Sequence, residues 1–246
     1  MSAPLVLGYH AVSEDWPAEL SVTPEALRRQ LDLLVRRGYR GATFTDAVTG
    51  PGAGRTLVVT FDDAYRSVIE RAWPILADLG LPGTVFTVTE WAGARAPMAW
   101  PGIERWLEGP HREELLPMSW EELGSLSDAG WEIGSHSHTH PHLTTLDDAA
   151  LATELQRSRN ECERRLDRPC QSLAYPYGDV DGRVVEAARQ AGYRAACALP
   201  QGRLHAPEPL RWPRVGIYHR DADWRFRLKV SPAARWLRRS ALGRSL

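Results

Sequence analysis

The chain is poor in lysine and cysteine. Lys229 is the single lysine among 30 basic residues, and Cys162, Cys170 and Cys197 are the only cysteines in 246 residues. Replacement of lysine by arginine, with 20 Gly and 18 Pro, points to a GC-rich genome more than to a function. Three cysteines with no C-x-x-C pair read as reduced thiols in a cytosol rather than a disulfide framework. Charge of one sign is also lacking. The formal net charge of −1 at pH 7 gives no global preference for nucleic acid or an anionic membrane. No apolar run approaches the length of a membrane span, which argues against stable membrane insertion. The opening "MSAPLVLGYHAV" has neither a basic region nor a long apolar stretch, so the expected location is cytoplasmic. No Gly-rich phosphate loop follows the first strand-like run, which leaves a dinucleotide fold without support.

What is present is ordinary globular composition: 43% hydrophobic and 25% charged residues, at a length that suits one large α/β domain. Short β-type runs alternate with helical patterns. "LVLGYH" (5–10), "TLVVTF" (56–61), "GTVFTV" (83–88), "WEIGSH", "SLAY" and "YRAACAL" read as strands. Between the first two, Thr23 caps a helix that starts at Pro24, carries Leu27, Leu31 and Leu34 on one face, and stops at Gly38. A second helix should bend near Pro74 and end at Gly80. Ser119 and Glu122 form a capping box, and further helices are expected at 147–166 and 181–191. This β-α-β-α order predicts a parallel sheet with helical crossovers, closed or nearly closed into a barrel. Residues 90–118, rich in Trp, Gly and Pro, are long for a connection and read as a lid. "WRFRLKVSPAARWLRRS" near the end predicts a basic amphipathic helix, either solvated or in weak contact with a membrane or partner.

Three stretches stand out. Asp62 and Asp63 follow the run "TLVVTF", where a buried strand should end. Reactive groups gather at such ends in parallel α/β folds, although Asp also suits a solvated turn or helix cap there. "IGSHSHTHPHL" places four of the eight histidines within residues 136–142. If the segment turns helically, His136 and His140 share a face and can bind one metal, with His138 pointing elsewhere and His142 exposed. Two histidines and a carboxylate make an open ligand set, and a second carboxylate beside them can deprotonate water. The third stretch, "AYPYG", is a bounded turn at Pro176, Tyr177 and Gly178.

"TFDDAY", "HSHTH" and "YPYG", in this order and spacing, resemble the polysaccharide deacetylase family (carbohydrate esterase family 4, the chitooligosaccharide deacetylase homology domain). The resemblance covers roughly residues 5–217. It implies a distorted (β/α) barrel of seven strands in a single α/β catalytic domain, taken as residues 1–220, with a basic helical tail at 221–246. It implies Asp62 as general base; Asp63, His136 and His140 as ligands of a divalent metal, zinc first, cobalt or nickel otherwise; and the Tyr177 N–H as an oxyanion donor. The family's third motif carries an Arg where this chain has Ala174, and Arg214 in "WPRVGI" is the substitute. Its late Leu-x-His motif is not recognisable. "LVLGYHAV" instead resembles the subgroup acting on poly-N-acetylglucosamine, in which the acid-bearing strand stands first. His10 is then the general acid and His219 the weaker choice, and loss of His10 should remove the basic limb of the pH–rate profile. Pro176, Tyr177, Trp91 and Trp100, with Trp106, are the expected substrate contacts. The expected activity is removal of the N-acetyl group from an N-acetylated amino sugar in a polymer, an oligomer or an intracellular glycoconjugate, with no nucleic-acid partner. A metal amidohydrolase of non-sugar C–N bonds and an inactive carbohydrate binder are the alternatives; an intact Asp62 argues against the second.

Overall fold

The computed structural model describes residues 3–51, 54–199 and 207–234. Its strands are β1 (Leu5–Tyr9), β2 (Ala11–Val12), β3 (Ser21–Val22), β4 (Arg40–Gly41), β5 (Thr56–Phe61), β6 (Thr84–Thr87), β7 (Glu132–Ser135), β8 (Ser172–Ala174), β9 (Ala195–Ala198), β10 (Trp212–Pro213) and β11 (Val215–Gly216). The helices are α1 (Pro24–Arg36), α2 (Phe44–Thr49), α3 (Trp73–Asp78), α4 (Trp120–Asp128), α5 (Asp148–Leu166), α6 (Gly182–Gln190) and α7 (Asp223–Val230).

The main sheet is parallel, in the order β10-β9-β8-β7-β6-β5-β1-β11, with β4 paired to the start of β5. Its two outer members, β10 and β11, are consecutive in the chain and separated only by Arg214. Trp212 and Pro213 pair with β9, and Val215 and Gly216 pair with β1. One extended run therefore joins both edges and closes the sheet nearly into a barrel. Counted as segments the path holds eight strands; with the run 212–216 taken as one, it holds the expected seven.

Side chains alternate in and out along each strand, as the pleat requires. Leu5, Leu7, Leu57 and Val59 join the cluster that includes Leu27, Leu31 and Leu34 of α1 and Ile75 and Leu76 of α3. Val6, Val58, Phe86, Ala174, Cys197 and Trp212 form a separate cluster in the lumen. Continuing the inward series upward gives Gly8 then His10, Thr60 then Asp62, His136, and Arg214. The lumen is packed below and polar at its C-terminal rim. Gly134 must stay small there, because a Cβ would lie 2.5 Å from Ser172 Oγ and 2.7 Å from the Phe86 ring.

The helices follow their signals. Thr23 caps α1 through its hydroxyl, and Ser119 and Glu122 complete the capping box of α4. The bend near Pro74 takes a specific form: Val68–Ala72 is a π-helix leading into α3. Pro74 has no N–H to give Glu70, and the wider turn relieves the clash. The expected basic helical tail is described as far as residue 234. α7 stops at Val230, because Ser231 precedes Pro232 and is extended (ψ 141°). Phe226 and Val230 are buried in the barrel's outer cluster, so α7 packs on the barrel. Residues 235–246 of the expected tail lie outside the described residues.

Candidate metal centre and active site

Asp62 and Asp63 leave β5 at the rim, and both are buried. The backbone turns sharply after Asp62, with φ of 68° at Asp63 and 57° at Ala64. Positive φ in non-glycine residues is held only where the surroundings over-determine it. Here Met118 N–H donates to Ala64 O at 2.8 Å and Arg66 N–H to Leu116 O at 2.8 Å, tying the turn to the end of the 90–118 segment.

The turn sends the two carboxylates to different partners. Asp62 receives both guanidinium nitrogens of Arg214, each at 2.7 Å, in a bidentate pair. The same guanidinium donates to Thr60 Oγ1 at 2.9 Å. Burial alone would raise the Asp62 carboxyl, but Arg214, helped by His136, holds it well below the usual range. Asp63 is raised well above its ordinary value, by burial first and by the neighbouring Asp62 charge second. Its Oδ1 has no hydrogen-bond partner and lies 3.4 Å from the Nε2 atoms of both His136 and His140.

The histidine segment is not helical, contrary to the i, i+4 geometry expected for it. β7 ends at Ser135, and Ser137 and His140 have φ of 66° and 65°. Side chains replace helical hydrogen bonds: Ser137 N–H donates to Ser135 Oγ at 3.1 Å and His140 N–H to Ser137 Oγ at 3.1 Å. Glu154 of α5 accepts from the N–H groups of His138 and Thr139 and from the Thr139 hydroxyl. His136 Nδ1 bonds the Ala174 carbonyl at 2.8 Å, which leaves Nε2 free to face Asp63. His138 turns away to Thr89 at 2.9 Å. His142 is exposed and stacks on Tyr177, with ring centroids 4.0 Å apart.

Asp63, His136 and His140 offer ligand atoms that all lie within 4.8 Å of one another. Burial lowers both histidines, which favours the neutral ring that a metal ligand requires. A buried carboxylate oxygen without a donor, facing two imidazole nitrogens, fits a divalent ion with positions left for water and substrate.

His10 follows β1 onto the same rim. Its Nε2 lies 3.8 Å from Asp62 Oδ2, and it lines the same cavity as Asp63, His136 and His140. Burial, only partly offset by Asp62, lowers its pKa to about 4. The ring of the metal-free chain is therefore neutral at rest. His219 is exposed and does not line this cavity. The turn Pro176–Gly178 places Tyr177 (φ 58°) beside the Asp63, His136 and His140 donors, its ring 4.6 Å from that of His140. The turn is closed by Gly178 N–H to Tyr175 O and Asp179 N–H to Pro176 O, and neither bond uses the Tyr177 N–H.

The cavity measures about 640 Å³, within the ~300–1,000 Å³ of small-molecule sites. Trp100 lines it and stacks on His140 at 4.4 Å. Trp106 lines it too, whereas Pro176 is buried behind the wall. Trp91 is not part of the lining; its ring packs edge-on against Trp100 at 6.3 Å and supports that wall from behind. Trp16, Glu19, Tyr218 and Lys229 also line the cavity, and sequence reasoning missed them. They come from the excursion around β2 and β3 and from the segment after β11, and no local motif marks them.

The polysaccharide deacetylase family model matches residues 49–196, more than half of the chain. The poly-β-1,6-N-acetyl-D-glucosamine N-deacetylase of Staphylococcus aureus is 23% identical over 156 residues, covering 60% of this chain and 49% of that protein. Among solved structures, the Streptococcus pyogenes deacetylase PplD, in complex with acetate, superposes with a TM-score of 0.75 at 20% identity, over 94% of this chain and 99% of that one. A polysaccharide deacetylase from Bacillus cereus gives a TM-score of 0.74 at 23% identity, over 94% and 69%. The chain spans between 48% and 64% of the length of the curated relatives compared with it. The chain belongs to the polysaccharide deacetylase family, with His10 and Arg214 outside the span that the family model matches.

Proposed function

We propose that this chain is a divalent-metal-dependent N-deacetylase of N-acetylated amino sugars. The observation that carries the reading is the division between two adjacent carboxylates. Asp62 is committed to Arg214, while Asp63 Oδ1 is left without a donor and faces two imidazoles. Asp63, His136 and His140 would hold the ion, with zinc the first choice and cobalt or nickel suited to the same donors. Such an ion supplies Lewis-acid polarisation of an acyl oxygen and makes water more acidic.

The chain's own residues supply the rest. Arg214 fixes both oxygens of Asp62, so the carboxylate meets water in one orientation. Asp62 takes a proton from the attacking water as the new C–O bond forms. The Tyr177 N–H donates to the developing oxyanion. His10, neutral at rest, receives the proton by way of Asp62, 3.8 Å away, and passes it to the amide nitrogen as the C–N bond breaks. Water and the acetamide become acetate and a free amine, and Asp62 returns to its ionised state. Trp100 and Tyr177 offer aromatic faces to the sugar ring. The names of relatives that act on N-acetylglucosamine polymers support the same substrate class.

Acetate release from N-acetylated chitooligosaccharides, with and without a chelator, tests the reading. Release that stops on metal removal and returns on readdition is the expected outcome. Chelator-insensitive release would overturn the metal role, and no release from any N-acetyl amino sugar would overturn the substrate class.

A further inference from the structure

We propose that the outer face of α7 docks this enzyme reversibly on an anionic lipid surface. α7 is two-faced. Phe226 and Val230 are buried against the barrel, while Trp224 and Leu228, one turn apart, are 67% and 58% exposed. They are the only exposed large hydrophobic side chains among the described residues. On a helix of 3.6 residues per turn, Arg225 and Arg227 flank this pair on either side. Both are exposed, and neither has a carboxylate within ion-pair distance among the described residues.

Most cations on the other helices are paired, Arg157 of α5 being an exception. Arg28 meets Asp78, Arg36 meets Asp32, and Arg164 meets Glu161. On α7 the one neutralised cation is Lys229, which turns inward to the buried Asp221 at 2.5 Å. Residues 221–246 hold seven basic and two acidic side chains, a net of +5 in a chain whose total is −1. An apolar ridge between unneutralised arginines suits the boundary between headgroups and acyl chains, with Trp at the interface and Arg against anionic phosphates. A protein partner would need an apolar socket ringed with acids. A second copy of this chain would oppose arginine to arginine, so the bilayer is the occupant that the charges favour. No helix among the described residues is long and apolar enough to cross a membrane, so this contact lies on the surface. Lys229, on the same helix, lines the catalytic cavity, so docking brings the cavity close to the lipid headgroups.

The test is co-sedimentation of the full chain with vesicles of phosphatidylcholine alone and of phosphatidylcholine with phosphatidylglycerol, at low and high salt. The wild type should bind the anionic vesicles, release in high salt and ignore the neutral ones. Trp224→Ala/Leu228→Ala and Arg225→Glu/Arg227→Glu should each lower partitioning roughly tenfold or more, with unchanged melting temperature and metal content. Equal binding to neutral vesicles, no binding to anionic ones, or full binding by both variants would overturn the proposal. So would a concentration-dependent dimer in solution that Trp224→Ala/Leu228→Ala dissolves, since the face would then belong to a second copy.

Discussion

The rim of the barrel and the wall around its cavity are built by different means. Rim residues stand on strand ends, and Asp62, Asp63, His136, His140, His10 and Arg214 are all buried. Hydrogen bonds to the frame position them: Arg214 to Thr60, His136 to Ala174 O, and the histidine turn to Glu154. The wall comes from the excursion around β2 and β3, the 90–118 segment and the segment after β11, and its side chains are held by ring packing, Trp100 on His140 and Trp16 on Trp106. A rim group displaced by a fraction of an ångström loses its partner, whereas a wall ring can shift and still cover a sugar. Chemistry should therefore fail sharply when the rim is altered, and substrate affinity should fade gradually when the wall is altered.

The largest effect is expected from the rim ligands. His136→Ala or His140→Ala should lose metal and at least about a hundredfold in activity, beyond the roughly 10- to 100-fold typical of outer-sphere partners. His138→Ala and His142→Ala should keep stoichiometric metal, as read by elemental analysis. Metal retained by a His136→Ala/His140→Ala double variant would break the ligand assignment.

His10→Ala comes next. It should lower turnover on the order of a hundredfold with metal content unchanged, the range of a lost general acid. A second readout follows from burial. The folded chain holds His10 at about 4, below its ordinary value of 6.5, so the unfolded chain binds more protons between those values. Stability of the metal-free protein should therefore fall as pH drops through that window, and His10→Ala should fall less steeply. Parallel melting-temperature curves for the two proteins would contradict the buried, neutral ring.

Glu154→Gln tests whether the frame matters as much as the ligands. It replaces the carboxylate that accepts from two backbone N–H groups and a hydroxyl of the histidine turn. A drop of about tenfold in metal affinity is expected, with the ligands themselves intact. The smallest effect belongs to the wall. Trp100→Ala should raise KM several-fold with less change in kcat, and Trp91→Ala, which acts only through Trp100, should do less. A larger kcat loss for Trp100→Ala than for His10→Ala would erase the distinction between rim and wall.

The strand and helix order was legible because each element carries its own signal: Thr23 and Pro24 for α1, the capping box for α4, the β-branched run for β5. The catalytic motifs were legible because they follow directly on strand ends. Other features depend on contacts distant in sequence. Nothing in "HSHTH" announces that Glu154 will hold it in a non-helical turn, so periodicity suggested a helix that the serine hydroxyls replace. The run 212–216 serves two strands at once, and only closure of the sheet reveals it. Trp91 and Trp100 look alike in sequence, and packing alone decides which faces the cavity. That burial holds His10 neutral at rest depends on packing that its local sequence does not announce.

The central claim is that Asp62 and Asp63, neighbours in the chain, have separate duties. Equilibrium metal affinity of Asp62→Asn and Asp63→Asn, measured beside the wild type, tests it most directly. Asp63→Asn is expected to bind metal far more weakly, while Asp62→Asn binds it nearly as well as the wild type but releases no acetate. Equal affinities in the two variants, or weakened metal binding in Asp62→Asn alone, would contradict the assignment.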